Sequence, residues 1–118
     1  MTASNERAVI AYDEFARVDI RAGTVRAAEP LAGARKPAYV LRIDFGPDLG
    51  ERRSSVQITR RYAAEALVGT QVCAVVNFPP KRIAGFASEV LVLGMNDGDG
   101  AVVLVRPDAP VPDGSRLY

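Results

Sequence analysis

Residues 39–45, YVLRIDF, alternate between apolar and other side chains more regularly than any other part of the chain. All four odd positions are apolar, and two of the three even positions are charged. Successive side chains of a β-strand point to opposite faces, so this pattern predicts a strand with one face in a core and the other in solvent. A half-buried strand of this kind requires partner strands, which directs the search to other segments with the same period.

Further strands are predicted on both sides of this segment. Residues 18–24 and 53–59 show a similar alternation, and residues 71–78 are apolar on both faces, as expected of a covered central strand. Two more strands are predicted at residues 88–95 and 101–106. The connecting segments at residues 29–37, 46–50 and 96–100 are rich in Gly, Pro and Asp, which favour turns.

Two short helices complete the pattern. Residues 60–69, RRYAAEALVG, contain good helix formers and end at Gly69, a residue typical of a helix C-terminus. A second helix is predicted over residues 5–12, polar first and then apolar through Val9 and Ile10.

The order of these elements predicts an all-β fold. Strands followed by a helix and then further strands match the five-stranded Greek-key barrel known as the OB fold. An SH3-like barrel is the alternative, but it would not account for the helix within residues 60–69. We therefore predict an N-terminal helical extension over residues 1–14, an OB-fold domain over residues 15–106, and a C-terminal arm over residues 107–118 that contributes to a dimer contact.

The composition argues against an enzyme. The chain has no histidine and one cysteine, which removes the commonest general base and makes zinc or transition-metal sites improbable. No G-x-S-x-G elbow or phosphate-binding P-loop occurs, and Asp19, Asp44 and Asp48 lie scattered among arginines. We expect a binding protein without a cofactor.

The expected compartment is the cytoplasm. Cys73, inside the apolar VCAVV run, is expected to be a small buried hydrophobe rather than half of a disulfide. No apolar run approaches the roughly 18 residues of a membrane span, and the charged N-terminal segment does not resemble a secretory signal.

Charge is distributed unevenly along the chain. The net charge is +1, but residues 15–86 hold twelve Arg or Lys and only six Asp or Glu. Eight of the twelve form pairs, at residues 35–36, 52–53, 60–61 and 81–82. Such pairs form either a solvated rim or a basic face that meets phosphates or an acidic polypeptide.

The segment NFPPKRIAGFASEVLVLG, residues 77–94, contains an unusually elaborate connection. Two prolines, a basic pair and an aromatic residue separate two apolar strands, where a plain hairpin needs only two turn residues. Stiff apolar and cationic groups on a loop predict a binding surface.

The candidate binding residues follow from the predicted barrel. OB folds bind ligands on the face of strands two and three and in the flanking loops. The candidates for peptide or tRNA contact are Arg35, Lys36, Gln57, Thr59, Asn77, Phe78, Pro79, Pro80, Lys81, Arg82, Phe86 and Ser88. Alternatives remain for four residues: Phe78 and Ile83 could cap the core, Ser88 could bond backbone, and Asn77 is expected to organise the loop.

The order VDIRAGTV, RKPAYVLRIDFG, SSVQIT and LVGTQVCAVVNFPPKRIAGFASEVLVLG resembles the tRNA-binding domain family over about residues 13–118. SSxQIT and NFPPxxI are similar to its CsaA-type branch, small proteins described as secretion chaperones. The resemblance implies an OB barrel, a homodimer built with help from the chain ends, and binding of unfolded or export-bound polypeptides.

The tRNA-binding relatives carry a pattern close to N-L-K-P-x-K-M-R-G-x-x-S-x-G-M in this loop. Asn77, Pro80, Arg82, Gly85 and Ser88 match it. The departures replace two cations with Pro79 and Ala84, and the remaining ones are Ile83 and Val90-Leu91. These changes favour a protein-export chaperone, with a tRNA-binding module acting in trans as the alternative.

Overall fold

A computed structural model describes residues 8–118, which form nine strands and three short helices. The helices are α1 (Tyr12–Ala16), α2 (Gly46–Leu49) and α3 (Ala64–Leu67). The strands are β1 (Ile20–Pro30), β2 (Tyr39–Asp44), β3 (Glu51–Val56), β4 (Gln71–Val75), β5 (Lys81–Ile83), β6 (Phe86–Ser88), β7 (Leu91–Val92), β8 (Gly94–Asn96) and β9 (Val102–Leu104).

Five strands form one antiparallel sheet in the order β3-β2-β1-β4-β7. The long strand β1 pairs with β4 through Ile20–Thr24 and with β2 through Thr24–Pro30. Its register against β2 shifts at Arg26, between Val25 and Ala27. A bulge bends a strand and increases its twist, so this one residue helps the sheet curl into a barrel.

The two edges of the curled sheet meet at a seam between β3 and residues 88–90. The Glu89 N–H donates to the Arg53 carbonyl oxygen at 2.8 Å, and the Glu89 carboxylate accepts from the Arg53 N–H at 2.9 Å. The Ser54 hydroxyl donates to the Val90 carbonyl oxygen at 3.0 Å. Two of these three hydrogen bonds use a side-chain group where a strand ladder would use backbone groups alone. The barrel is therefore nearly closed. The predicted OB-type all-β barrel is confirmed.

The barrel core is formed by the inward faces predicted from the alternation. Leu41, Ile43 and Phe45 are fully buried, together with Ile58 and Val72. Helix α3 covers one end of the barrel with Leu67, which is also fully buried. The chain then turns at Gly69, whose φ of +90° suits a glycine, and enters the central strand β4.

Residues 113–117 of the C-terminal arm run along the N-terminal half of β1, on the edge that β2 leaves free. The Ala22 N–H donates to the Ser115 carbonyl oxygen at 2.9 Å, and the Gly114 N–H donates to the Ala22 carbonyl oxygen at 2.8 Å. The Thr24 hydroxyl donates to the Asp113 carboxylate at 2.6 Å. The arm is therefore attached to its own barrel by strand-like hydrogen bonds.

Several predicted boundaries differ from the structure. The N-terminal helix is Tyr12–Ala16, whereas residues 8–11 are not helical and residues 1–7 lie outside the described part. The Glu14 carboxylate accepts from the Ala11 N–H at 3.0 Å, which favours a helix start after Ala11. Residues 46–49 form a short helix rather than a simple turn.

The loop between the fourth and fifth predicted strands is more ordered than expected. It contains the two-stranded hairpin β5–β6, and the predicted strand at residues 88–95 is divided among β6, β7 and β8. Strand β1 also continues to Pro30, which pairs with Tyr39 at the end of the strand. Proline is tolerated there although it has no N–H to donate. None of the helices within residues 8–118 is long and apolar enough to cross a membrane.

Candidate ligand-binding groove

The β5–β6 hairpin is the element around which the candidate site is built. Lys81 pairs with Ser88, Arg82 with Ala87, and Ile83 with Phe86, so the turn consists of two residues, Ala84 and Gly85. Their φ angles are +51° and +79°. Two consecutive positive φ values match the type I′ turn, which suits the right-handed twist of the strands but is unfavourable for alanine.

Two contacts attach the hairpin to the barrel. The guanidinium carbon of Arg53 lies 4.9 Å from the centroid of the Phe86 ring, a cation–π geometry. The Ser88 hydroxyl oxygen accepts from the Ser55 N–H at 3.0 Å. Both contacts connect β6 to β3, so the hairpin projects from the seam of the barrel.

A cleft of about 810 Å3 opens between the hairpin tip and the loop at residues 33–36. We call it the basic cleft because Arg35 and Lys36 line it, together with Ser55, Gln57 and Ile83. Arg35, Lys36 and Gln57 are exposed. This cleft brings together three of the sequence-predicted binding residues.

A second cleft of about 360 Å3 lies at the base of the same hairpin. We call it the apolar cleft because Phe78, Pro79, Val90 and Leu91 line it, together with Ile83. Phe78 and Leu91 each leave 50% of their surface exposed, so both side chains are available to a ligand. Leu91 was not among the predicted binding residues, although it occupies the position of a methionine in the tRNA-binding pattern.

The two clefts are adjacent, because Ser55 and Ile83 line both of them. We call the two clefts together the groove. The basic cleft contributes cations, and the apolar cleft contributes apolar side chains together with Lys81 and Glu89. Ser55 was also absent from the predicted set. Its outward position in the SSVQIT strand is the sequence feature that could have identified it.

The cations of the chain divide into paired and unpaired groups. Arg61 forms an ion pair with Asp97 at 2.8 Å, and Arg60 donates to the Asp99 carbonyl oxygen at 3.1 Å. Arg52 donates to the Leu49 carbonyl oxygen. Among residues 8–118, by contrast, the four cations predicted to bind a ligand form no ion pair: Arg35, Lys36, Lys81 and Arg82. Their charges remain available to a ligand.

The remaining predicted residues have other positions. The Asn77 side chain accepts from the Asp19 N–H at 3.0 Å and donates to the Arg17 carbonyl oxygen at 2.8 Å, so it fixes the segment before β1. Ser88 lines the apolar cleft, but it is buried and its hydroxyl is occupied by the Ser55 N–H. Phe86 is half-buried under Arg53.

Four further predicted residues differ in their positions. Pro80 and Lys81 are exposed at the hairpin base, and Lys81 lines the apolar cleft. Arg82 donates to the Gly85 carbonyl oxygen at 3.0 Å across the hairpin turn. Thr59 is half-exposed and lines neither cleft.

The perturbed acidic groups lie outside the groove. The Gly46 N–H, and then Arg26, hold the pKa of Asp44 below its usual value. The bond from Arg61, and then the Asp99 and Ala101 N–H groups, lower the pKa of Asp97. Burial raises the pKa of the Cys73 thiol, which disfavours a reactive thiolate. No cluster of three metal-ligating side chains occurs within residues 8–118.

Comparison with known proteins identifies the family. The sequence profile of the putative tRNA-binding domain matches residues 20–116, most of the chain. The chain belongs to the tRNA-binding domain family. Among curated proteins it is 39% identical over 108 residues to the methionine–tRNA ligase of Porphyromonas gingivalis, covering 92% of this chain and 15% of the ligase.

A second ligase, from Methanothrix thermoacetophila, is 41% identical over 113 residues, which cover 95% of this chain and 16% of the ligase. The chain thus spans only about a sixth of these relatives, and the similarity is confined to this domain rather than to their whole length.

Solved structures of similar size match over almost their whole length. The chaperone CsaA of Bacillus anthracis is 51% identical, with a TM-score of 0.88 over 94% of this chain and 100% of that one. The CsaA chaperone of Picrophilus torridus is 46% identical, with a TM-score of 0.87 over 93% and 100%. The resemblance to the tRNA-binding domain family and its CsaA-type branch is confirmed.

Proposed function

We propose that this protein is a CsaA-like chaperone that holds unfolded or export-bound polypeptides in the cytoplasm. The observation that carries the proposal is the groove, in which an open apolar cleft lies next to a basic one. An unfolded polypeptide offers apolar side chains, polar backbone and charges on one flexible chain, and this groove has a surface for each.

The free energy expected from apolar burial in the groove is adequate for weak, reversible binding of a polypeptide. Burial of ~200 Å2 of apolar surface contributes about 5 kcal/mol before the costs of association. Pro79 and Pro80 restrict the backbone that leads into the hairpin, so little conformational entropy is lost there on binding. Phe78 and Leu91 are the side chains with most surface to contribute.

Phe78→Asp tests the proposal, because it places a charge in the apolar cleft without touching the core. We expect this variant to bind a labelled unfolded precursor at least ten-fold more weakly than the wild type. Met95→Asp is the matched control, since Met95 is 65% exposed and lines neither cleft. Equal binding by Phe78→Asp and the wild type would contradict the proposal.

A tRNA-binding module acting in trans is the second candidate. Three cations without an ion-pair partner in the described part of the chain line the groove (Arg35, Lys36 and Lys81), and the domain family is named for tRNA binding. Phosphate binding releases counterions, so this function predicts binding that falls steeply with salt. It also predicts loss of tRNA binding in Lys81→Glu/Arg82→Glu. A flat salt response would reject it.

The proposed assembly is a homodimer in which residues 1–14 and 107–118 contribute contacts. Val9 is 98% exposed, Ile10 62% and Tyr12 70%, an apolar segment that has no cover in the described chain. Ile10→Asp should shift the mass measured by light scattering from dimer to monomer. Unchanged dimer mass in this variant would place the interface elsewhere.

A further inference from the structure

Strand β5 has one backbone edge that pairs with no strand of the described chain. Within residues 8–118, β5 pairs with β6 and with no other strand. In a two-residue hairpin the residues that flank the turn exchange their hydrogen bonds across the two strands. Here these residues are Ile83 and Phe86, so the N–H and C=O of Arg82 point away from β6.

The residues before β5 define where such an edge can be used. Pro79 and Pro80 have no N–H, so the Arg82 N–H is the one donor that β5 offers on this edge. The strand is short, preceded by proline and rich in cations, which are features that discourage pairing between copies of the same protein. A peptide segment that carries negative charge would be attracted to these cations instead of being repelled by them.

The side chains next to this edge alternate in chemistry along the groove. Ile83 lines both clefts, Lys81 lines the apolar cleft, and Arg35 and Lys36 line the basic cleft. These cations have no acidic partner in residues 8–118. A ligand with apolar groups for the apolar cleft and carboxylates for Arg35 and Lys36 therefore suits both clefts.

We infer that the groove binds an extended polypeptide segment as an added strand on β5. Its apolar side chains enter the cleft lined by Phe78 and Leu91, and its acidic side chains reach Arg35 and Lys36. This inference rests on the proposed chaperone function and specifies its client: an extended segment with apolar residues followed or preceded by acidic ones. Main-chain pairing explains how one groove accepts different sequences, because every residue except proline offers the same backbone groups.

The hairpin is held in place before a client arrives. Phe86 lies under Arg53, Ser88 is bonded to Ser55, and the turn has the type I′ geometry. Adding a strand to a preformed edge avoids the entropy cost of ordering the hairpin during binding.

The test uses fluorescein-labelled peptides with a leucine- and valine-rich half and a glutamate-rich half, made in both orders. Fluorescence anisotropy measures their affinity for the full-length protein. A strand that pairs along one edge uses every second amide, so N-methylation of one alternate set should weaken binding about ten-fold. N-methylation of the other alternate set should have little effect. Equal effects of the two sets, or no effect of either, would overturn strand addition.

The charge requirement is tested with a peptide in which glutamine replaces glutamate. At low salt we expect it to bind about three- to ten-fold more weakly. Arg35→Gln/Lys36→Gln should cause a similar loss for the glutamate peptide and no further loss for the glutamine peptide. Arg60→Gln is the control, because Arg60 lines neither cleft. Equal losses for the two peptides would overturn the assigned role of Arg35 and Lys36.

The outcomes separate this inference from the function on which it rests. If an unfolded precursor binds but the peptides show no alternate-amide and no charge dependence, strand addition is wrong and the chaperone proposal stands. If neither precursor nor peptide binds while tRNA does, both proposals are overturned.

Discussion

The guanidinium carbon of Arg53 lies 4.9 Å above the ring centroid of Phe86, and this contact joins the β5–β6 hairpin to β3. Cation–π pairs at exposed sites contribute about 0.5–1 kcal/mol. We expect Phe86→Leu and Arg53→Gln to show a coupling free energy of that size in a double-mutant cycle, measured by urea unfolding. Strictly additive effects would mean that the two side chains do not stabilise each other.

Ser88 is expected to matter for stability because its hydroxyl satisfies a backbone donor at the seam. Ser88→Ala leaves the Ser55 N–H without this partner, and we expect a loss of about 1–3 kcal/mol in the free energy of unfolding. Ser115→Ala is a suitable control, since the Ser115 hydroxyl donates to the Pro112 carbonyl oxygen at an exposed site. Similar losses in both variants would contradict a special role for Ser88.

Ala84 occupies a backbone conformation that costs alanine more than glycine. Its φ is +51°, and we expect Ala84→Gly to stabilise the protein by about 0.5–1 kcal/mol, in spite of the greater freedom of glycine in the unfolded chain. Ala87→Gly, on the opposite strand and without a positive φ, should instead destabilise it. Thermal unfolding of the two variants checks the sign, and destabilisation by Ala84→Gly would contradict the type I′ turn.

Asp97 is expected to give the protein part of its pH dependence. Its pKa in the folded protein is lowered by the Arg61 bond and then by two backbone donors. A lowered folded pKa stabilises the protein above the ordinary aspartate pKa, about 3.9, and this contribution disappears as the pH falls through the folded value. The stability difference between the wild type and Asp97→Asn should therefore shrink below about pH 4.

Asp108→Asn is the control for this titration, because among residues 8–118 the Asp108 carboxylate takes part in no ion pair. Urea unfolding at a series of pH values measures both differences. A difference between the wild type and Asp97→Asn that stays constant down to about pH 2 would show that the Asp97 charge is not stabilised by folding.

Gly114 lies where the C-terminal arm approaches the barrel most closely. A Cβ at this position would lie 2.5 Å from the Phe45 carbonyl oxygen, and φ is +91°. We expect Gly114→Ala to cost about 1–3 kcal/mol and to expose residues 107–118 to proteolysis. Gly98→Ala is the control, since a Cβ there would have no neighbour within 4 Å. Normal protease resistance in Gly114→Ala would contradict the docking of the arm.

The core strands could be predicted because their residues face one core. Leu41, Ile43 and Phe45 are buried at the positions that the alternation of residues 39–45 indicates. Helix α3 was identified through its composition and Gly69. These features depend on local periodicity, which a sequence records directly.

The hairpin could not be predicted, for reasons that are equally local. Its turn contains Ala84-Gly85 rather than Asn-Gly, and the prolines before it are unusual next to a strand. Which cations remain unpaired depends on long-range contacts such as Arg61 with Asp97, separated by 36 residues. The places of Ser55 and Leu91 in the groove also depend on long-range contacts, because the two residues come together only when the barrel closes.

The most direct test is one binding titration of the purified protein at two salt concentrations, comparing an unfolded export precursor with bulk tRNA. The account predicts that the precursor binds at both salt concentrations with a modest loss at high salt, because apolar contacts carry most of the affinity. Retention of tRNA at low salt, with a steep loss at high salt and no binding of the precursor, would contradict it.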